Sequence, residues 1–211
     1  MAGAYSVWDR LANKYDRLWV QKYSLTPTRR RVRQILSNRF HGENFTLLDL
    51  GCGTGQLLCE MREDSPDCRM LGVDKSPEMI RCANKRRLDI EFVCLDVDNE
   101  DLSQYFTESG FNAVTCCHSF PYYKNKPAVM AELYKLLDSE GIAVFAQASV
   151  NRLYDKTVLR VVEATAEKAD YLSREAFRAL AEKYFVIIEE FTIYERFYMP
   201  SICGFVLGKR L

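Results

Sequence analysis

The sequence predicts an α/β protein with a mostly parallel sheet and helices on both of its faces. Three observations lead there. Short apolar runs of strand length alternate with segments of helical period from Phe45 to Ala146. Those runs are continuous, as suits strands covered on both sides. The first run ends in the turn Gly51-Cys52-Gly53-Thr54-Gly55, placed where open parallel sheets bind ligands, beyond a strand's carboxyl end.

The elements follow in order. Tyr5, Trp8, Leu11, Tyr15, Leu18 and Trp19 recur at roughly helical spacing. Thr26-Pro27 opens a second helix, with Val32, Ile35 and Leu36 as its apolar stripe. Residues 1–40 read as an N-terminal helical cover on the sheet. Five strands are expected at Phe45 to Leu50, Met70 to Val73, Ile90 to Leu95, Phe111 to Cys117 and Ile142 to Ala146. Helices fall between them at Leu57 to Met61, after Ser76-Pro77-Glu78, and from Pro127 to Leu137, and Ser139-Glu140-Gly141 reads as a turn. Tyr154 to Lys168 reads as one helix more than the rhythm needs, an inserted cap over 152–169. Ser173 caps a further helix from Arg174 to Tyr184. Phe185 to Tyr194 and Ile202 to Leu207 form an antiparallel hairpin at the sheet edge.

The 211 residues, 48% of them hydrophobic, suffice for the core of a single domain over 1–211. Twenty-nine basic residues balance 29 acidic ones, which disfavours a broad nucleic-acid footprint. Arg29-Arg30-Arg31 and Arg33 read first as a solvated helix face or partner patch. Eight cysteines without a Cys-x-x-Cys pair, and two histidines, support neither a disulfide framework nor a metal site. No run approaches the ~18 apolar residues of a membrane span, and no secretory leader is evident. A cytoplasmic protein with reduced thiols is expected, with monomer and homodimer equally open.

Chemistry concentrates at three strand ends. The turn after Leu48-Asp49-Leu50 lacks the Gly-Lys-Ser/Thr of a phosphate loop, since Gln56-Leu57 follows Gly55. Gln56 also replaces the third glycine of a dinucleotide loop. Asp49 beside the turn would repel a pyrophosphate and suits a cationic amine. Asp74, ending the second strand, has the two-oxygen fork that a vicinal diol needs. Asp96 ends the third strand, where it would receive an exocyclic amine, with the Val97 N–H facing a ring nitrogen. A structural turn and helix-capping aspartates are the plain alternatives.

In these motifs the chain resembles the class I S-adenosylmethionine-dependent methyltransferases. The matching residues are Leu47 to Gly55, Gly72-Val73-Asp74 with Ser76-Pro77 and Met79, Asp96-Val97, Phe111 to Val114, and Leu133 to Leu137 with Gly141. The resemblance is continuous over 44–147. Trp8-Asp9-Arg10, Lys14-Tyr15-Asp16 and Cys117 to Tyr123 look closest to the ubiquinone/menaquinone-biosynthesis-like small-molecule branch. Relatives there often carry histidines where this chain has Pro121 and Tyr122, so one candidate base is missing. The resemblance implies a Rossmann-like seven-stranded sheet of order 3-2-1-4-5-7-6, its seventh strand antiparallel. It implies S-adenosylmethionine as cofactor and S-adenosylhomocysteine (SAH) as product. Asp49 and Gly51 would lie near the methionine end, with Cys52, Gly53 and Gly55 also binding the cofactor, Asp74 and the flanking Lys75 at the ribose, and Met79, Asp96 and Val97 at the adenine.

Methyl transfer from a sulfonium is a direct displacement that positioning can largely drive. His118, after the fourth strand, is the natural proton acceptor if one is needed, and it counts also among the cofactor neighbours. A histidine that only shapes the pocket is the alternative. Tyr122 and Tyr123 are polar groups able to orient an acceptor, and Tyr15, in the aromatic cover with Tyr5, Trp8 and Trp19, is counted with both the catalytic and cofactor residues. Tyr154, Leu159 and Val162 would form an opposite wall, and Phe191, Tyr194, Phe197 and Tyr198 line the pocket or an interface. The expected activity is methylation of a small apolar or aromatic acceptor. A protein or RNA methyltransferase docking through the arginine cluster, and a non-catalytic cofactor-binding subunit, are the alternatives.

Overall fold

A computed structural model describes residues 6–87, 89–100, 102–106, 110–150, 168–194 and 201–210. The strands are β1 (Thr46–Leu50), β2 (Arg69–Asp74), β3 (Glu91–Cys94), β4 (Phe111–Cys117), β5 (Leu137–Ala148), β6 (Phe185–Ile193) and β7 (Ile202–Lys209). They form one sheet of order β3-β2-β1-β4-β5-β7-β6. β1 to β5 run parallel, and β7 pairs antiparallel with both β5 and β6. This is the Rossmann-like arrangement expected.

Side-chain alternation along each strand divides the core in two. Leu47 and Met70 face a layer with Val32 and Leu36 of α2 (Thr26–Phe40), Leu58 and Met61 of α3 (Gln56–Asp64), and Ile80 and Ala83 of α4 (Pro77–Arg86). Leu48, Leu50 and Leu71 face the other, with Leu102 of α5 (Leu102–Tyr105), Met130 and Leu133 of α6 (Lys126–Leu136), and Phe177 of α7 (Arg174–Ala181). Cys116 and Cys117 divide between the two layers in the same way. Ser173 caps α7 through Ala176 N–H, 3.1 Å away.

Three expectations need adjusting. β5 starts at Leu137: Phe111 pairs with Leu137 and Ala113 with Ile142, so Ser139-Glu140-Gly141 bulge within the strand. The N-terminal helix is broken. α1 (Val7–Leu11) gives way to a 3₁₀ segment, Ala12–Arg17, and a π-helical turn, Gln21–Leu25, that runs into α2. Trp19 lies outside that packing, 58% exposed. The arginine cluster is not one solvated face. Arg29 is buried and bonded to Glu60, Gln21, Gln56 and Thr26, Arg33 grips Asp64 and Glu60, and Arg31 pairs with Glu189. Carboxylates on α3 and β6 draw these guanidiniums in, and Arg30 alone of the four is exposed. The cap over 152–169 with Tyr154, Leu159 and Val162, and likewise Tyr5, Phe197 and Tyr198, lie outside the described residues, apart from Lys168 and Ala169, which have no regular secondary structure.

Candidate active site

The parallel strands end together at one edge of the sheet, and two adjoining clefts open there. The larger is lined by Trp8, Tyr15, Gly51, Gly53, Asp74, Lys75, Met79, Leu95, Asp96, Val97, Cys117, His118, Ser119, Tyr122 and Tyr123. The second shares Tyr15, Gly51, Gly53, Cys117 and His118 and adds Arg29, Asp49, Cys52 and Gln56. Every residue expected to bind cofactor or act on the acceptor except Gly55 thus lines one of them; Phe191 is instead buried against Gly204 and Tyr194 is exposed, and neither borders a cleft. Gly55 sits behind the loop at the start of α3, with φ +76°, where a Cβ would meet Phe92 Cζ at 2.7 Å. That packing, with the positive φ, requires a glycine at this position.

The loop after β1 is held by backbone bonds to the next strand. Gly51 and Cys52 N–H groups donate to Val73 O at 2.8 and 2.9 Å. Gly51 has φ +68°, and a Cβ there would lie 2.3 Å from Ser119 Cβ, so the position tolerates no side chain. The Cβ that Gly53 lacks would stand 3.7 Å from Tyr15 Cε1, in the space between loop and cover.

Asp74 accepts from Gly53 N–H and Ser76 N–H, one on each oxygen, both at 2.9 Å. Each oxygen keeps a lone pair for the cleft, the fork a diol needs. Burial pushes its carboxyl up, against the pull of those two amides. Asp49 is 3% exposed, and Thr115 Oγ1 lies 2.7 Å from its Oδ1. Burial raises its pKa to about 7; the Thr115 bond opposes this and the charge of Asp74 adds to it. Asp96 holds Asp98 N–H at 3.1 Å and Asn99 Nδ2 at 2.7 Å, which fixes its carboxylate at the mouth of the larger cleft.

His118 follows β4 in the left-handed region, φ +61°. Its N–H still bonds Ala146 O at 2.8 Å, and Nε2 lies 2.9 Å from Thr28 Oγ1. Burial, then the nearby Arg29 charge, lowers its pKa to about 4. The ring is therefore a neutral, weakly basic group, not one poised near pH 7. Phe120, fully buried, anchors the next turn edge-on against Phe145 and Phe177. That anchor sets Tyr122 and Tyr123 on the cleft wall. Tyr122 OH lies 3.3 Å from Tyr171 OH, and its ring meets Trp8 edge-on at 5.0 Å. Tyr123 OH is buried without a hydrogen-bond partner, and burial holds the phenol well above its usual pKa. Burial pushes Cys116 up to about 12 and Cys117 well above the ordinary range, so neither offers a thiolate at neutral pH.

Several contacts escaped the sequence reading. Asp16 of the 3₁₀ segment accepts from Thr54 Oγ1 at 2.6 Å and pairs with Arg86. Asp9 accepts from Ser76 Oγ at 2.6 Å. The N-terminal segment is thus tied to both cofactor-side loops. Lys126, buried, reaches Tyr123 O at 3.0 Å and Asp170 at 3.1 Å, clamping the tyrosine loop. Asp9 and Asp16 sit beside conspicuous aromatics, a usable signal; Thr28 and Lys126 carry none.

The chain is similar to known methyltransferases in sequence and in fold. The family model described as "Methyltransferase domain" matches residues 41–195. The chain belongs to that family, and its sheet is that of the class I S-adenosylmethionine-dependent methyltransferases. A malonyl-[acyl-carrier protein] O-methyltransferase of Acetivibrio thermocellus is 31% identical over 102 residues, 47% of this chain and 34% of that protein. A demethylmenaquinone methyltransferase of Thermotoga maritima is 28% identical over 146 residues, 68% of this chain and 61% of that one. The matches thus span between a third and three-fifths of those relatives. Among solved structures, a chain of the complex between the Haloferax volcanii Trm112 methyltransferase activator and a methyltransferase superposes with TM-score 0.81, at 16% identity over 99% of this chain and 100% of that one. The magnesium protoporphyrin IX methyltransferase of Synechocystis PCC 6803, solved with SAH, gives 0.71 at 17% identity, over 96% and 98%. No helix among the described residues is long and apolar enough to cross a membrane.

Proposed function

We propose that the chain transfers a methyl group from S-adenosylmethionine to a small apolar or aromatic acceptor by direct displacement. The observation that carries this is the convergence of Asp49, Asp74 and Asp96, from three adjacent parallel strands, on clefts walled by Trp8, Tyr122 and Tyr123. The residues present fit the cofactor. Asp49 and Arg29 line one small cleft, a carboxylate and a guanidinium matched to the amine and carboxylate of an amino acid. Asp74 offers a diol fork, and Met79, Leu95 and Val97 an apolar bed for the base. The carbon–sulfur bond of the sulfonium supplies an activated methyl group.

The chain's own residues then bind, orient and exclude water. The N-terminal segment, latched through Asp9 and Asp16, covers the cofactor side and keeps water out. Trp8 and Tyr122 wall the acceptor side, and the unpartnered Tyr123 hydroxyl is a donor waiting for a polar atom of the ligand. His118 orients the acceptor rather than stripping it of a strongly held proton, as its lowered pKa directs.

The Thermotoga relative supports the menaquinone-biosynthesis-like branch for this chain, and an aromatic acceptor is consistent with that branch. The pairing of Arg29, Arg31 and Arg33 with acidic partners removes the main support for a polymer substrate. The test is an acceptor panel of phenols, thiols and aromatic amines, read by SAH release. Turnover of small aromatic members is expected; turnover of protein or RNA alone would overturn the acceptor class.

A further inference from the structure

We infer that Thr28 is a positioning residue, which fixes His118 in its Nε2–H tautomer and so presents Nδ1 to the cleft as a bare hydrogen-bond acceptor. The use of that nitrogen in methyl transfer rests on the function proposed above; the tautomer does not.

Thr28 is fully buried on α2. Its Oγ1 lies 2.8 Å from Ser24 O, a carbonyl that only accepts, and 2.9 Å from His118 Nε2. A threonine hydroxyl has one hydrogen. Bonding back to the carbonyl four residues earlier is a common use of it in helices, and Ser24 belongs to the π-helical turn Gln21–Leu25 that leads into α2. With its hydrogen committed to Ser24, Oγ1 faces Nε2 with lone pairs alone. Nε2 must then carry the ring proton, and a neutral imidazole so protonated has none on Nδ1.

The surroundings keep the ring neutral. Burial, and after it the guanidinium of Arg29, the next residue on α2, disfavour a second proton. The ring is also held in place from both ends. Its backbone N–H is tied to Ala146 O, its Nε2 to Thr28, and Nδ1 has no protein partner among the described residues. His118 borders both clefts. The free nitrogen therefore accepts an O–H, N–H or S–H hydrogen from the acceptor, which turns the acceptor's lone pair toward the methyl group. A histidine of the opposite tautomer would offer a donor there and turn the acceptor away.

The experiment uses full-length protein labelled with ¹⁵N-histidine and two-bond ¹H–¹⁵N correlation spectra at pH 7. The chain has two histidines, and the exposed His41 serves as internal reference. Wild type and Thr28→Ser are expected to show the Nε2–H pattern for His118. Thr28→Val is expected to show a mixture, with kcat reduced about tenfold or more, by analogy with the loss of a partner that orients a metal-ligating histidine. Its KM for S-adenosylmethionine should stay unchanged, and Thr28→Ser should restore kcat. An Nδ1–H pattern in wild type overturns the inference by itself, even if Thr28→Val does not fold. So does an unchanged Nε2–H pattern in a folded Thr28→Val. Failure of the methyltransferase reading looks different: no SAH binding by calorimetry, with the tautomer pattern intact.

Discussion

Cofactor binding should depend steeply on pH below neutrality, and Asp49 sets the slope. Its carboxyl is buried at the end of β1 with Thr115 as hydrogen-bond partner, and its pKa lies at about 7. A ligand with a cationic amine binds the ionised form. At pH 7 about half of the free protein holds that form, and at pH 5 about one part in a hundred, so the apparent SAH affinity should fall about fiftyfold, near 2.3 kcal/mol. Calorimetry across pH 5 to 7, in buffers of different ionisation enthalpy, measures both the affinity and the proton released on binding. Asp49→Asn should bind weakly at pH 7 and lose most of the slope. The free protein behaves in the opposite sense. A carboxyl raised on folding makes the folded state hold more protons than the unfolded one, so its contribution to stability falls as pH rises from about 4 to about 7. Asp49→Asn should therefore raise the melting temperature of ligand-free protein at pH 8. A flat affinity profile in wild type, with no proton release, would refute the reasoning.

Other perturbations test other parts of the site. Asp74→Asn should weaken SAH binding by about 1.5–3 kcal/mol, the scale of charge-assisted hydrogen bonds; an unchanged dissociation constant in folded protein would remove the diol assignment. Gly51→Ala forces a Cβ into Ser119 at positive φ, costing about 1–3 kcal/mol from backbone strain alone, and a wild-type melting temperature would contradict this. Asp16→Ala removes the bonds to Thr54 and Arg86, so limited proteolysis of the first 20 residues should speed up, with saturating SAH restoring protection. Trp8 lines the cleft while Trp19 is exposed; the fluorescence change on SAH binding should vanish in Trp8→Phe and persist in Trp19→Phe.

Much of this architecture was legible in the residues because the physics was local. The runs Leu47 to Leu50 and Ala113 to Cys116, alternating with helical segments, suit strands covered on both faces. The glycines of the first turn carry positive φ where the chain must reverse beside Val73. Asp49, Asp74 and Asp96 announced themselves as acids at strand ends, and all three border the clefts. Less legible were features set by long-range partners. Arg29 read as surface because nothing nearby in sequence shows that Glu60 and Gln56 wait across the helix pair. Gly55 also has a packing reason the sequence does not show, because the ring of Phe92, 37 positions on, claims the space beside it. His118 looked poised near neutral pH; its burial beside Arg29 is a tertiary fact. The N-terminal stripe suggested a regular helix, yet Asp9 and Asp16 bond to loops 67 and 38 residues away, and the chain kinks to reach them.

The central claim is that the strand-end acids and the glycine turn form a site for S-adenosylmethionine and its product. Calorimetric titration of the protein with SAH, beside the same titration with NAD, tests it most directly. The account predicts one SAH site per chain and no comparable binding of NAD. Tight NAD binding with no heat from SAH would contradict it.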